Sequence, residues 1–159
     1  MSAVTLRGVR PEDLEGLAEL HHAIWIETQW ELVGLPPQAR DLGWYRRVIE
    51  PTFDRTVVAE REGAPVGYVT CLDDLLDDIW VAPWAQGQGV GALLLRAGEE
   101  VIRACGHAEA RLECIAANAR ARRFYERHGW RLSREFSMDE PRPGLRMTEY
   151  RRRVAGVAR

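Results

Sequence analysis

From Gln86 to Ala92 the chain reads Gln86-Gly87-Gln88-Gly89-Val90-Gly91-Ala92, with three glycines at alternate positions. Apolar residues at positions 90, 93, 94, 97 and 101 then repeat at helical spacing, which predicts a helix from Val90 to about Cys105. Glycine lets backbone N–H groups close on an anion, and the first-turn N–H groups of a helix have no intrahelical partners. The turn therefore has the chemistry of a pyrophosphate cradle. A phosphate loop of the Gly-Lys-Ser/Thr kind is excluded, because all 22 basic residues are arginine. A dinucleotide fingerprint, G-x-G-x-x-G/A, is formally met by Gly87, Gly89 and Ala92. That motif needs a strand running straight into its first glycine and an acid about 20 residues later. Here Pro83-Trp84-Ala85-Gln86 intervenes, and Glu113 lies 26 residues past Gly87.

The same turn meets a third pattern, Gln/Arg-x-x-Gly-x-Gly/Ala, through Gln86, Gly89 and Gly91. A second block follows about 30 residues on: Leu112-Glu113-Cys114, Asn118, Ala119, Ala121, Phe124-Tyr125 and Gly129-Trp130. Together, in this order, the two blocks resemble the signatures of the GCN5-related N-acetyltransferase (GNAT) family. Cys114 stands where that family usually has valine, and Trp130 where it has phenylalanine. The resemblance is sharp from Leu76 to Trp130.

The resemblance implies acetyl-CoA as co-substrate, no metal, and direct attack of an amine on the thioester. Such a reaction must hold the thioester, take a proton from the ammonium and protonate the departing thiolate. On the family pattern, the main chain of Ile79, Trp80 and Val81 pairs with the pantetheine arm, and the amides of Gly87, Gln88, Gly89, Val90, Gly91 and Ala92 take the pyrophosphate. Asn118, with Ala121 after it, contacts the pantetheine arm and also has the position of an N-cap. Tyr125 is the expected general acid, with Phe124 beside it facing the core.

For the base, the segment Leu76-Asp77-Asp78 resembles the Leu-Glu-Asp of polyamine acetyltransferases, which makes Asp77 the first candidate. Glu113, twelve positions before Tyr125, matches the spacing of the carboxylate in enzymes that acetylate ribosomal-protein N-termini and is the second. Trp25, Trp30, His21 and His22 fall where the family shapes its acceptor pocket, and Asp78 is placed there too. Cys114 is not expected to act as a nucleophile. The reading is acetyl transfer to a primary amine of a small molecule. A protein N-terminus as acceptor, and a CoA-binding sensor without turnover, are the alternatives, and lookalikes often form homodimers through the C-terminal strands.

These groups need a scaffold, and 159 residues suffice for one domain, placed at 1–153 with a fraying tail at 154–159. Composition is that of a globular protein, with 46% apolar and 29% charged residues. Three widely spaced cysteines, no apolar run of about 20 residues and no signal-peptide pattern at Met1–Arg7 lead us to expect a cytoplasmic protein without a membrane partner. Residues 1–80 carry a net charge of −8 and residues 81–159 a net +6. A basic half suits CoA phosphates and an acidic half a cationic acceptor. Nucleic acid is not indicated: the pI is about 6.1 and no basic stripe carries interleaved aromatics.

Periodicity predicts strands at Val4–Val9, Thr56–Glu60, Pro65–Leu72, up to Val81, Ala110–Ala116, Trp130–Met138 and Leu145–Arg153. Helices are expected from Pro11 through Trp25, over Ala39–Ile49, from Val90, and from Asn118 to about His128, where Gly129 ends the last one. The order β-α-α-β-β-β-α-β-α-β-β gives an α/β fold of the acyl-CoA N-acyltransferase type. Its sheet is mixed and mostly antiparallel with helices on both faces, parallel only around the two motif helices.

Overall fold

The computed structural model of the chain describes residues 2–155. Seven strands form one sheet: β1 (Thr5–Gly8), β2 (Thr56–Arg61), β3 (Ala64–Leu72), β4 (Leu75–Val81), β5 (Glu109–Ile115), β6 (Arg131–Ser137) and β7 (Arg146–Arg153). Their order across the sheet is β1-β2-β3-β4-β5-β7-β6. Neighbours are antiparallel except β4 and β5, which are parallel. That exception lies between the two glycine- and asparagine-headed helices, as the sequence predicts.

Helices cover both faces. After a 3₁₀ turn at Pro11–Asp13, α1 (Leu14–Ile24) passes through a π-helical segment, Trp25–Gln29, into the short α2 (Trp30–Val33). Gly34 closes that run at φ +80°, a left-handed cap that glycine adopts readily. The π segment is absent from the sequence-based expectation, since one extra residue per turn leaves no periodic mark. The next helix, α3, runs Leu42–Ile49 and not from Ala39, because Asp41 caps it by accepting the Trp44 N–H at 2.8 Å and Pro37–Ala39 form a separate 3₁₀ turn. The last two are α4 (Val90–Ala104) and α5 (Ala119–Arg127).

The core is continuous. Leu17, Leu20 and Trp25 from the first helical run meet Tyr45 of α3 and Val58, Tyr68 and Val69 of the sheet. Leu94, Leu95 and Ile102 of α4 are buried in the same cluster, with Leu112 of β5 and Tyr150 of β7. At the start of the tail expected to fray, the Val154 and Ala155 amides both donate to Ala108 O, at 2.9 and 3.1 Å. The remainder of that expectation, 156–159, lies outside the described residues.

Two irregularities position the site. A bulge in β4 leaves Thr70 opposite Asp78 but Cys71 opposite Leu76, so Asp77 is the extra residue. The alternation of side chains is thereby reset: Leu76 packs toward α4, where its Cδ1 lies 2.8 Å from a Cβ built on Gly98. Asp78 and Trp80 instead face α1, with the Trp80 ring 4.3 Å from that of His21. The second irregularity is that β4 and β5 pair only at Leu75 and Arg111 and then diverge.

Candidate active site

The divergence opens a cleft of about 900 Å³. Ala82 N donates to Val66 O on β3 at 2.9 Å, so by the period of two the main-chain groups of Ile79 and Val81 point the other way, toward the gap. One of them is engaged, since Val81 O accepts from Gln86 Nε2 at 3.2 Å. Ile79, Trp80 and Val81 all line the cleft.

At the mouth of the cleft, Gly87 and Gly89 have φ of +75° and +85°. A side chain at either would strain the left-handed backbone that turns the chain into α4. Gly91 is needed for a different reason: a Cβ there would come within 3.2 Å of the Phe124 ring, where α4 and α5 touch. Gln86, Gly87, Gly89, Gly91 and Ala92 face the cleft. Val90 is buried in the core, and the Gln88 side chain turns away to accept from Arg61 Nη1. An open helix N-terminus at one end and an unpaired strand edge at the other fit an acyl-CoA, with a phosphate group at the first and an amide-bearing arm along the second. Arg120, Arg123 and Arg127 lie on the α5 wall and add positive charge.

Asn118 both caps α5, accepting the Ala121 N–H at 3.2 Å, and lines the cleft with Ala121. Tyr125 lines it from the next turns of the same helix, only 9% exposed. Burial, reinforced by Cys114 and Asp78, raises its pKa, so the phenol holds its proton at neutral pH. Phe124 does not face the core alone: it stands in the cleft wall beside Tyr125, because it packs on Gly91.

On the α1 side of β4 lies a smaller cavity of about 240 Å³, and Trp80 lines both spaces. Its walls include His21, Arg40, Trp44, Tyr68, Asp78 and Trp80. Asp78 Oδ1 accepts from Trp80 Nε1 at 2.9 Å, and Oδ2 lies 3.4 Å from Thr70 Oγ1. Desolvation outweighs these donors and pushes the carboxyl up to about 6, with the neighbouring Asp77 adding to the rise. His21, held at Nδ1 2.7 Å from Tyr68 Oη, is driven down to about 3 by burial and is neutral.

The other sequence candidates lie elsewhere. Asp77 lines neither cavity; it is 37% exposed and sits 3.9 Å from Arg55 Nη2. Glu113 is exposed on β5, opposite Glu149, and also lines neither. Trp25 is fully buried, donating its indole N–H to Pro37 O at 2.8 Å, and Trp30 packs on the core. The aromatic walls come instead from Trp44 and Trp80. Arg40, Tyr68 and Thr70 carry no motif, and only the fold brings them here. The Cys114 thiol is raised to about 11 by burial, which makes it a poor nucleophile. Among the described residues no group of three His, Cys, Asp or Glu side chains is placed to hold a metal ion.

The fold recurs in solved structures. It matches yncA of Salmonella typhimurium, solved with its cofactor acetyl-CoA, at a TM-score of 0.70 and 21% identity, covering 99% of this chain and 98% of that one. It matches apo YjaB of Escherichia coli at 0.77 and 18%, covering 94% and 97%. A GCN5-related N-acetyltransferase from Rhodopseudomonas palustris gives 0.75 and 21%, covering 96% and 97%. In sequence, a Mycobacterium tuberculosis protein named as a probable N-acetyltransferase is 24% identical over 147 residues, 82% of each chain. The model of the acetyltransferase (GNAT) family matches residues 17–130, which span the strand edge, the cradle, Asn118 and Tyr125. With the cleft built from those same residues, the chain belongs to the GNAT family of acetyltransferases, which use acetyl-CoA.

Proposed function

We propose that the protein transfers the acetyl group of acetyl-CoA to the primary amine of a small molecule, with Asp78 as proton acceptor and Tyr125 as proton donor. The observation that carries this reading is Asp78 itself, a desolvated carboxylate in a small cavity that shares Trp80 with the cleft as a wall residue. An ammonium of ordinary pKa, about 10.4, must lose a proton before its nitrogen can attack. A carboxylate raised to about 6 is a stronger base than a free aspartate and is still ionised at neutral pH.

Acetyl-CoA supplies the activated thioester. The edge of β4 and the Gln86–Ala92 turn hold it. Asp78 takes a proton from the acceptor ammonium, freeing the lone pair that forms the new C–N bond. As the C–S bond breaks, Tyr125 gives its proton to the leaving sulfur, and the second proton lost from the nitrogen as the amide forms restores the phenol through solvent. Asp77 and Glu113, outside both cavities, are given no part in this scheme. The free thiols of Cys71, Cys105 and Cys114 suit a reducing cytoplasm.

Thiol release from acetyl-CoA over a panel of amines tests the reading, with mass spectrometry of the acceptor. We expect amine-dependent release and an N-acetylated product. Tight CoA binding with no amine-dependent release would leave a sensor as the function.

A further inference from the structure

The smaller cavity holds a cation for which the transfer chemistry has no task. Arg40 lies in the extended link that follows Pro37–Ala39, at φ −135° and ψ 116°. Its guanidinium carbon is 4.3 Å from the ring of Trp25 and 4.3 Å from that of Trp44. Stacking against two indoles restricts the guanidinium through its faces and leaves its in-plane N–H groups as the donors. Among the described residues no carboxylate lies within ion-pairing distance of it. Yet Arg40 is in the wall of the same cavity as Asp78.

Tyr45 packs beside this cavity, against the rings of His21 and Trp44. It is fully buried, and its hydroxyl, without a well-formed hydrogen bond, has the Arg40 guanidinium as its side-chain hydrogen-bonding neighbour and the Asp78 charge acting on it. A half-buried cation stacked between two indoles with no carboxylate beside it is incompletely paired unless something else completes it. An anionic group on the acceptor does so, and the planar guanidinium fork matches a carboxylate.

We propose that Arg40 is a specificity residue that binds a carboxylate on the acceptor, making the substrate a free amino acid or another small amine that bears one. The amino group then lies at Asp78 and the carboxylate at Arg40. A polyamine or aminoglycoside, which offers only cations, meets a like charge at Arg40 instead. This inference rests on the acetyltransferase reading above and narrows it.

The test measures acetyl-CoA-dependent thiol release with L-α-amino acids, the corresponding L-α-amino amides and the decarboxylated amines; β-alanine and γ-aminobutyrate probe the spacing. The acids are expected to be the better substrates of the wild type. In Arg40→Met, kcat/KM for the best acid should fall about 10- to 150-fold, the worth of hydrogen bonds to a charged group. The amide of the same amino acid should change no more than about threefold. Arg40→Lys, which keeps charge without the fork, should recover only part of the loss. Because acid and amide are compared within one protein, a folding defect moves both and cannot imitate the effect. Amides or simple amines reacting as well as the acids, or an equal loss for acid and amide in Arg40→Met, would overturn this inference alone. Silence across the whole panel would overturn it together with the acetyltransferase reading.

Discussion

Trp80 Nε1 donates a hydrogen bond to Asp78 Oδ1 at 2.9 Å, two positions away on the same strand. Trp80, which lines both cavities, therefore also holds the carboxylate proposed as base. This bond favours the ionised carboxylate and opposes the rise caused by burial. Trp80→Phe removes the donor and leaves most of the ring. The rising limb of its pH–rate profile should therefore move to higher pH than in the wild type. An unmoved limb would show that the indole N–H does not tune the titrating group.

A base raised by burial costs stability, and the sign can be worked out. Asp78 has a folded-state pKa of about 6, above its ordinary 3.8, so the folded protein binds more protons between those values. Stability contributed by this group is complete below about pH 4 and is lost as the pH rises through 6. Asp78→Asn removes the desolvated charge. At pH 8 it should unfold at higher denaturant than the wild type, by about 1–3 kcal/mol, with the gap closing toward pH 4. Equal stability at both pH values would argue against a desolvated carboxylate at this position.

Tyr125 is proposed to protonate the leaving sulfur from the cleft wall. Tyr125→Phe keeps the ring packed near Trp130 and Tyr150 but removes the proton. A kcat loss of about 10²–10⁴ is expected, with KM for acetyl-CoA changed much less. Near-normal turnover on the best acceptor would mean that solvent protonates the thiolate.

The cradle depends on Gly89 at φ +85°. Nothing lies within 4 Å of a Cβ built there, so space is not the obstacle; the backbone is. Gly89→Val cannot hold the left-handed conformation without strain, and the first-turn amides of α4 should lose their aim. Calorimetry should show CoA binding abolished while circular dichroism stays largely unchanged. Unaltered CoA affinity would take the turn out of the binding site.

Much of this was legible in the sequence because it is local. A glycine turn before a helical period, and an N-cap seven residues before a tyrosine, specify their own geometry; the structure has both. The order of elements along the chain and the parallel pair followed from which helices connect which strands; the order of strands across the sheet, with β7 between β5 and β6, did not. The proposed base did not follow, for a reason of register. Asp77 and Asp78 are adjacent and chemically alike, and only the bulge that makes Asp77 the extra residue turns Asp78 into the smaller cavity. A bulge is set by pairing with β3, so its position is not written in Leu76-Asp77-Asp78 itself.

The tryptophans illustrate a related limit. Trp25 belongs to an apolar helical stripe, and such a stripe does not say whether a ring faces the core or a pocket rim. The fold buries it completely, with its ring stacked against the Arg40 guanidinium. Arg40 itself sits outside any periodic element, where sequence patterns have no purchase. Its partners Trp25 and Trp44 lie 15 residues before it and four after.

The central claim is that Asp78 receives the proton of the acceptor amine. Its most direct test is the pH dependence of kcat/KM for the wild type, Asp78→Asn, Asp77→Asn and Glu113→Gln with one acceptor. The wild type should rise through a limb near pH 6 as Asp78 ionises. Asp78→Asn should lose that limb and about 10²–10⁴ in rate, while the other two keep both. If Asp78→Asn retains limb and rate, and Asp77→Asn or Glu113→Gln loses them, the proton goes to a different carboxylate and the account of this site is wrong.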